Sequence, residues 1–181
     1  MTSELPAIDS ARLRLEPLRP DEVDALFAIA RNPASIEDYQ LAATVRADVE
    51  AWVAPLLTGE ELGWTIRSGE RIIGLVALEP AADDGEEDGG GGKGPSAEIG
   101  YFVDAAEAGQ GFASEATAAV TRWALETGRF RRLTAGVTVR NVASRRVLEK
   151  AGYRHTHTSA RDWEWKGELL DSAYYVIESP P

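Results

Sequence analysis

Cysteine is absent from the 181 residues. That excludes disulfides, thiolate metal ligands and a cysteine nucleophile, and it fits a reducing, cytoplasmic setting. Histidine is almost absent. The two that occur, His155 and His157, alternate along one predicted strand and so should share a face, but no further ligand accompanies them and no metal centre is expected. Positive charge is scarce: 19 Lys and Arg against 30 Asp and Glu leave a formal charge of −11. This balance argues against nucleic acid or an anionic membrane as partner, and it suits a cationic substrate such as an amine. No apolar run reaches the length of a membrane span and no N-terminal signal pattern is visible, so no membrane association is expected.

What is present suits one domain, residues 1–181, with its core over about residues 10–177. Much of the acidity is local. Residues 80–95, "PAADDGEEDGGGGKGP", hold five acids and one lysine, and they offer no apolar anchor to offset the entropy of ordering. They read as a solvated surface loop. Gly92-Lys93 is not a phosphate loop, because Gly94 stands where Ser or Thr would be required.

Hydrophobic periodicity orders the rest. "ARLRLEPL" (11–18) alternates Leu13 and Leu15 against Arg12 and Arg14 and predicts a strand. Pro20 opens a helix through Arg31 with Val23, Leu26, Phe27 and Ala30 on one face, and residues 46–57 predict a second helix ending near Gly59. "GWTIRS" and "RIIGLVALE" predict a hairpin across Ser68-Gly69-Glu70, and "AEIGYFVD" (97–104) predicts the next strand. A helix from about Gly111 to Thr127, a strand "RRLTAGVTV" and a short helix opening at Asn141 follow. Strands 153–165 and 168–177 meet at a Lys166-Gly167 turn. The order β-α-α-β-β-β-α-β-α-β-β predicts an α/β (α+β) mixed sheet, mostly antiparallel, with residues 97–139 forming a right-handed β-α-β unit that supplies one parallel pair.

Two stretches carry chemistry. In "EAGQGFASEATAAV" (107–120), Gly109 and Gly111 stand directly before a helix start. Glycine lets a ligand touch the backbone, and the first helical N–H groups are unpaired and partly positive, so the place suits phosphate. An ordinary strand-to-helix loop has the same spacing. The dinucleotide fingerprint is excluded, because Ser114 replaces its third glycine. In "NVASRRVLEKAGY" (141–153), Asn141 ends a strand and opens a helix, with Ser144 in its first turn; both are also ordinary helix-start residues.

Together "AEIGYFVD", "GQGFASEA" and "NVASRRVLEKAGY" strongly resemble, in order and spacing, the core of the GCN5-related N-acetyltransferase (GNAT) superfamily, and within it the RimJ/RimL-like ribosomal-protein-alanine acetyltransferases. The closing "WKGELLD" resembles that group's last hairpin. The resemblance implies a central parallel pair that splays at a site for acetyl-CoA. It implies that Ile99–Val103, including Tyr101, Phe102 and Val103, bonds the pantetheine arm as an added strand. The backbone of Gly109, Gln110, Gly111, Phe112, Ala113 and Ser114 would wrap the pyrophosphate, and Asn141 would hold a pantetheine amide. There are departures. Ala108 stands where the motif opens with Gln, Arg or an aromatic. Leu148 stands where many relatives carry a candidate tyrosine acid, and the RimL-like subgroup uses serine at the Ser144 place instead.

Aminolysis of a thioester requires a deprotonated amine, donors for the carbonyl oxygen and a stabilised leaving thiolate. Glu98, at the start of the cofactor strand, is the candidate base, although an exposed or arginine-paired strand residue would look the same in sequence. Ser144, a poor acid as an alcohol, suits a hydrogen bond to the departing thiolate. Glu115 would repel phosphate and should face away, favouring the helix dipole. Tyr39, Trp163 and Trp165 are candidate acceptor-groove residues, the two tryptophans alternating on one strand. The expected activity is acetyl transfer to a primary amine, either a protein N-terminus or a small molecule. Ala108 and Leu148 also admit a non-catalytic acyl-CoA sensor, which Glu98 with Ser144 argues against. The acceptor and the oligomeric state are not readable, and a homodimer is compatible with the sequence.

Overall fold

The computed structural model describes residues 5–36, 45–81 and 95–180. Tyr39 and most of the acidic stretch, 82–94, lie outside the described residues. Eight strands form one sheet: β1 (Ile8–Asp9), β2 (Arg14–Pro17), β3 (Leu62–Ser68), β4 (Arg71–Pro80), β5 (Ser96–Val103), β6 (Arg132–Thr138), β7 (Arg154–Trp165) and β8 (Glu168–Glu178). Their spatial order is β1-β2-β3-β4-β5-β6-β8-β7, and only β5 and β6 run parallel. The helices are α1 (Val23–Ala30), α2 (Pro33–Ile36), α3 (Arg46–Thr58), α4 (Phe112–Glu126) and α5 (Val142–Lys150). The expected elements all form, and β1 and α2 are short additions to them.

The sheet is buried on both faces, each with its own core. One core packs Trp64, Ile66, Leu133 and Tyr175 against α4 and α5; Leu148, at the place of the missing tyrosine, is 1% exposed within it. The other packs Leu75, Ala77 and Phe102 under Leu26 of α1 and Val49 and Val53 of α3. Burial on both faces explains why β4 reads as a near-continuous apolar run rather than an alternating one. Residues of β5 alternate between the layers: Ile99 and Tyr101 join the α4/α5 side, Phe102 the α1/α3 side. At Gly74 a Cβ would lie 2.2 Å from the Phe102 carbonyl oxygen, so β4 can pass β5 there only as glycine.

The β5–β6 ladder is short. It pairs Ser96 with Arg132, Ala97 with Leu133 and Glu98 with Thr134, and then ends, although β5 continues to Val103 and β6 to Thr138. The strands diverge beyond Glu98 and leave an open β5 edge. The sheet resumes antiparallel pairing on the far side of β6, from Arg132–Glu178 to Thr138–Ser172.

One expectation fails locally. His155 pairs with Tyr175 and His157 with Tyr174, with a bulge between them. His155 meets the Tyr175 ring edge-on at 5.4 Å, and His157 stacks on Tyr174 at 4.7 Å. Adjacent residues of β8 face opposite ways, so the extra residue in β7 puts the two histidines on opposite faces rather than one.

Candidate active site at the splayed strands

A recess of about 500 Å³ opens where β5 and β6 part, on the α4/α5 face. Its walls are the open edge of β5 with Tyr101, Phe102 and Val103, the loop with Gly109 and Gly111, and the first turn of α4 with Phe112, Ala113 and Ser114. Asn141 and Ser144 close it from the start of α5. Nine of the ten expected cofactor residues therefore meet in one place. Gln110 is the exception: its carbonyl accepts from Arg12 Nη1 at 3.0 Å and its amide donates to Glu107 Oε2 at 2.7 Å, so it braces the loop from outside.

Local physics fixes this loop. Gly109 and Gly111 hold φ of +79° and +82°, a left-handed backbone that side-chain-bearing residues adopt at a cost. Gly111 is the N-cap of α4, and its carbonyl already accepts from Glu115 N. The N–H groups of Phe112, Ala113 and Ser114 precede the first intrahelical bond, and these three residues line the recess. Glu115 turns away from them, as expected. Its carboxylate accepts from Ser10 Oγ at 2.8 Å, from Arg12 N at 2.7 Å and from Arg12 Nε at 2.7 Å. Burial alone would raise its pKa, but these donors together hold it below the usual carboxylate range. Arg12 also lies over the Phe112 ring, 4.6 Å from its centroid.

At the α5 end, Asn141 Oδ1 accepts from Ser144 N at 2.8 Å, which sets the first turn. Ser144 Oγ lies 2.9 Å from the Tyr101 hydroxyl, which is also 3.1 Å from the Ser144 carbonyl oxygen. Burial pushes the Tyr101 phenol well above its ordinary pKa, against the lowering effect of the serine, so it stays protonated. Arg146 and Lys150 bring positive charge to the same recess.

Glu98 is not in this recess. It lines a second one, about 420 Å³, on the opposite face of the sheet with Glu61, Glu79, Trp52, Trp163 and Tyr174. The two recesses meet at the splay, where Ile99, Gly100, Gly136 and Val137 line both. Gly136 N donates to Glu98 Oε1 at 3.3 Å. The Glu98 side chain reaches solvent, but into a concavity, so many protein atoms still surround it. Burial raises its pKa, Glu79 raises it further, and the bond from Gly136 only partly offsets them. Trp163 lines the recess; Trp165 does not, and its ring lies 5.3 Å from Lys166 Nζ instead. Among the described residues no group of three or more His, Asp or Glu is placed to hold a metal, and no helix is long and apolar enough to cross a membrane.

Sequence reasoning did not single out Arg146, Lys150, Glu61, Glu79 or Tyr174. The last three become neighbours only through cross-strand register, which no local spacing records. Arg146 and Lys150 lie four apart on α5, a helical spacing that signals one face but not what it meets.

The comparisons agree with this geometry. A family model described as "Acetyltransferase (GNAT) domain" matches residues 12–154. "Probable N-acetyltransferase YjcK" of Bacillus subtilis (strain 168) is 31% identical over 146 residues, covering 80% of this chain and 76% of that protein. The fold superposes on the RimL ribosomal L7/L12 alpha-N-protein acetyltransferase in complex with coenzyme A, with a TM-score of 0.80 at 18% identity over 96% of this chain and 98% of that one. Mycobacterium smegmatis RimJ in complex with CoA-disulfide gives a TM-score of 0.75 at 22% identity, over 96% and 88%. With a family model spanning most of its length and a curated relative alike over four-fifths of it, the chain belongs to the GNAT acetyltransferase family.

Proposed function

We propose that the protein is one N-acetyltransferase domain that moves acetyl from acetyl-CoA to a primary amine. The observation that carries this reading is the β5 edge, which loses its β6 partner after Glu98 and runs open into the glycine-bearing start of α4. Unpaired strand edges accept an extended amide-containing chain, and helix starts accept phosphate. The fit to CoA is supported by the cradle itself, where Gly109 has nothing within 4 Å of a would-be Cβ and Gly111 meets only Arg12 Nη2 at 3.5 Å. Two structural neighbours are complexes with CoA or its disulfide. In this reading Tyr101, Phe102 and Val103 offer backbone partners to the pantetheine arm. The N–H groups of Phe112, Ala113 and Ser114 hold the pyrophosphate, and Arg146 and Lys150 balance the remaining phosphate charge.

Acetyl-CoA, when bound, supplies an acetyl group activated as a thioester. Glu98 takes a proton from the incoming ammonium, directly or through water; its raised pKa brings it closer to that task. The open β5 edge offers N–H donors to the carbonyl oxygen as it gains charge. Ser144 donates a hydrogen bond to the departing sulfur, and Tyr101, held neutral at 2.9 Å, orients that hydroxyl. Base and thiolate partner thus work from opposite faces through the splay. The balance is one ammonium and one thioester giving one amide, one thiol and one proton. Thiol release with a panel of primary amines tests the reading. Amine-dependent release supports it, whereas tight acetyl-CoA binding with no release under any acceptor overturns it in favour of a binding module.

A further inference from the structure

The turn that joins β1 to β2 reaches far along the chain. Ile8 pairs with Leu15 and Asp9 with Arg14, so Ser10–Leu13 close a tight hairpin turn, with Ser10 N donating to the Leu13 carbonyl at 2.9 Å. Arg12 lies in that turn and gives its donors to the start of α4, 98 and 103 residues on. Its Nη1 donates to the Gln110 carbonyl at 3.0 Å. Its Nε and its backbone N–H donate to the two Glu115 oxygens, each at 2.7 Å, and Nη2 lies 2.7 Å from Glu115 Oε2. The same guanidinium covers the Phe112 ring. One side chain thus touches Gln110, Phe112 and Glu115, around the N-cap Gly111.

The pair with Glu115 needs only a positive charge. The bond to Gln110 needs the fork of a guanidinium, which serves a carboxylate and a carbonyl together. That bond also sets a direction. Among the described residues no peptide bond is cis, and across a trans peptide the carbonyl of one residue and the N–H of the next point opposite ways. With the Gln110 carbonyl turned to Arg12, the Gly111 N–H is held away from Arg12. Gly111 lines the recess on the α4/α5 face and Gln110 does not, and the Gly111 N–H has no partner among the described residues. Glycines at φ +79° and +82° flank Gln110, so without a tether this peptide would be free to turn.

We propose that Arg12 is a positioning residue for the pyrophosphate of acetyl-CoA: by holding the Gln110 carbonyl outward, it aims the Gly111 N–H at the ligand, beside the N–H groups of Phe112, Ala113 and Ser114. The inference rests on the acetyl-CoA reading of that recess and adds the residue that sets its phosphate end. Glu115 anchors the guanidinium, and Ser10 Oγ, donating to the same carboxylate at 2.8 Å, anchors the turn. Arg12 acts through the Gln110–Gly111 peptide and not by touching the ligand.

The test compares the full-length wild type with R12K and R12A. Lysine keeps the charge and the Glu115 partner but cannot bond Gln110 at the same time. Calorimetric titrations use CoA and pantetheine, which has no pyrophosphate, and proton–nitrogen correlation spectra follow the Gly111 amide. In the wild type CoA should move the Gly111 amide proton downfield, as a hydrogen bond to phosphate does, and pantetheine should not. In R12K the affinity for CoA should fall roughly tenfold, as for one hydrogen bond to a charged group, with Tm kept and the Gly111 shift reduced. R12A should lose the same affinity and lower Tm as well; the Gly111 shift reads the same in whichever variant folds. R12K binding CoA like the wild type, or a Gly111 amide that moves alike in wild type and variant, would overturn the proposal and leave Arg12 an ion-pair partner alone. So would a wild-type Gly111 amide unmoved by CoA that does bind. A wild type with no affinity for CoA would instead overturn the cofactor reading itself, and the role of Arg12 with it.

Discussion

The proposed base, Glu98, stands where the fold disfavours its charge. Desolvation in the recess first, and Glu79 next, make its charged form expensive, which raises its pKa and makes it a stronger base than an ordinary carboxylate. In the wild type, turnover should therefore fall as pH drops through a value above the ordinary carboxylate range. Glu98→Gln should lower kcat by roughly 10²-fold or more with acetyl-CoA affinity preserved, and the deficit should narrow at high pH as free amine becomes plentiful. Wild-type turnover in that variant at neutral pH would place the base elsewhere. Glu115 is the opposite case, a carboxylate held low by Ser10 and Arg12. Its folded pKa lies below the unfolded one, so its stabilisation is present above the unfolded pKa and disappears as pH falls through the folded value. Glu115→Gln should lower Tm at pH 7 by about 2–6 °C, and thermal melts should show the gap closing at acid pH.

At the scale of elements, the start of α4 is built by backbone, and the cross-strand neighbours Glu61, Glu79 and Glu98 are set by register. Gly111→Val would place a branched side chain beside Arg12 at φ +82°, where the strain shifts the backbone that carries the helix N–H groups. CoA affinity should drop by about 2 kcal/mol or more, since several charge-assisted bonds are lost together. A pantetheine fragment, lacking the pyrophosphate, should bind both proteins equally. Calorimetric titration of both ligands checks this, and unchanged CoA affinity would leave the glycines as turn residues only. Register makes a stability prediction of its own: Leu62 pairs with Leu78, so Glu61 stands beside Glu79 across β3 and β4. Glu61 has a raised pKa, from burial first and then from Glu79 and Glu60. A raised carboxyl contributes stability that is full below the unfolded pKa and is lost as pH rises through the folded pKa. Glu61→Gln should therefore raise Tm at pH 7 by about one to a few degrees, the cost of a like-charge cross-strand neighbour, and the gain should vanish near pH 4 and below. No gain at pH 7 would mean that Glu61 and Glu79 do not repel across the strands.

For the molecule as a whole, the sheet separates two recesses and joins them at one gap. The α4/α5 face holds the recess proposed for acetyl-CoA and the α1/α3 face the recess with Glu98 proposed for the acceptor, with Gly100 and Gly136 lining both. Perturbations should therefore sort by face. Trp163→Ala should raise the acceptor KM several-fold, in the range of about 1–2 kcal/mol for a lost cation–π wall, while the Kd for acetyl-CoA stays at the wild-type value. Gly111→Val should do the reverse. Parallel titrations of both substrates on both variants check this, and a Trp163→Ala protein with weakened acetyl-CoA binding would show that the faces are not separate.

Much was legible in the chain itself. Leu13 and Leu15 against Arg12 and Arg14, the Lys166-Gly167 turn, the Gly111 cap and Asn141 capping onto Ser144 are all local, because turn chemistry, capping and two-fold or helical periodicity act over a few residues. Those signals placed nearly every element, and with the family resemblance they singled out nine residues that line the recess on the α4/α5 face. The chain could not show where the β5–β6 ladder stops, that a bulge turns His155 and His157 apart, or that Glu98 and Ser144 lie on opposite sides of the sheet. Nor could it show that Glu61, Glu79 and Glu98 stand side by side. These depend on how distant strands align. Register is set by the packing of two whole cores rather than by neighbours in sequence, and a shift of one residue would send each of these side chains to the other face.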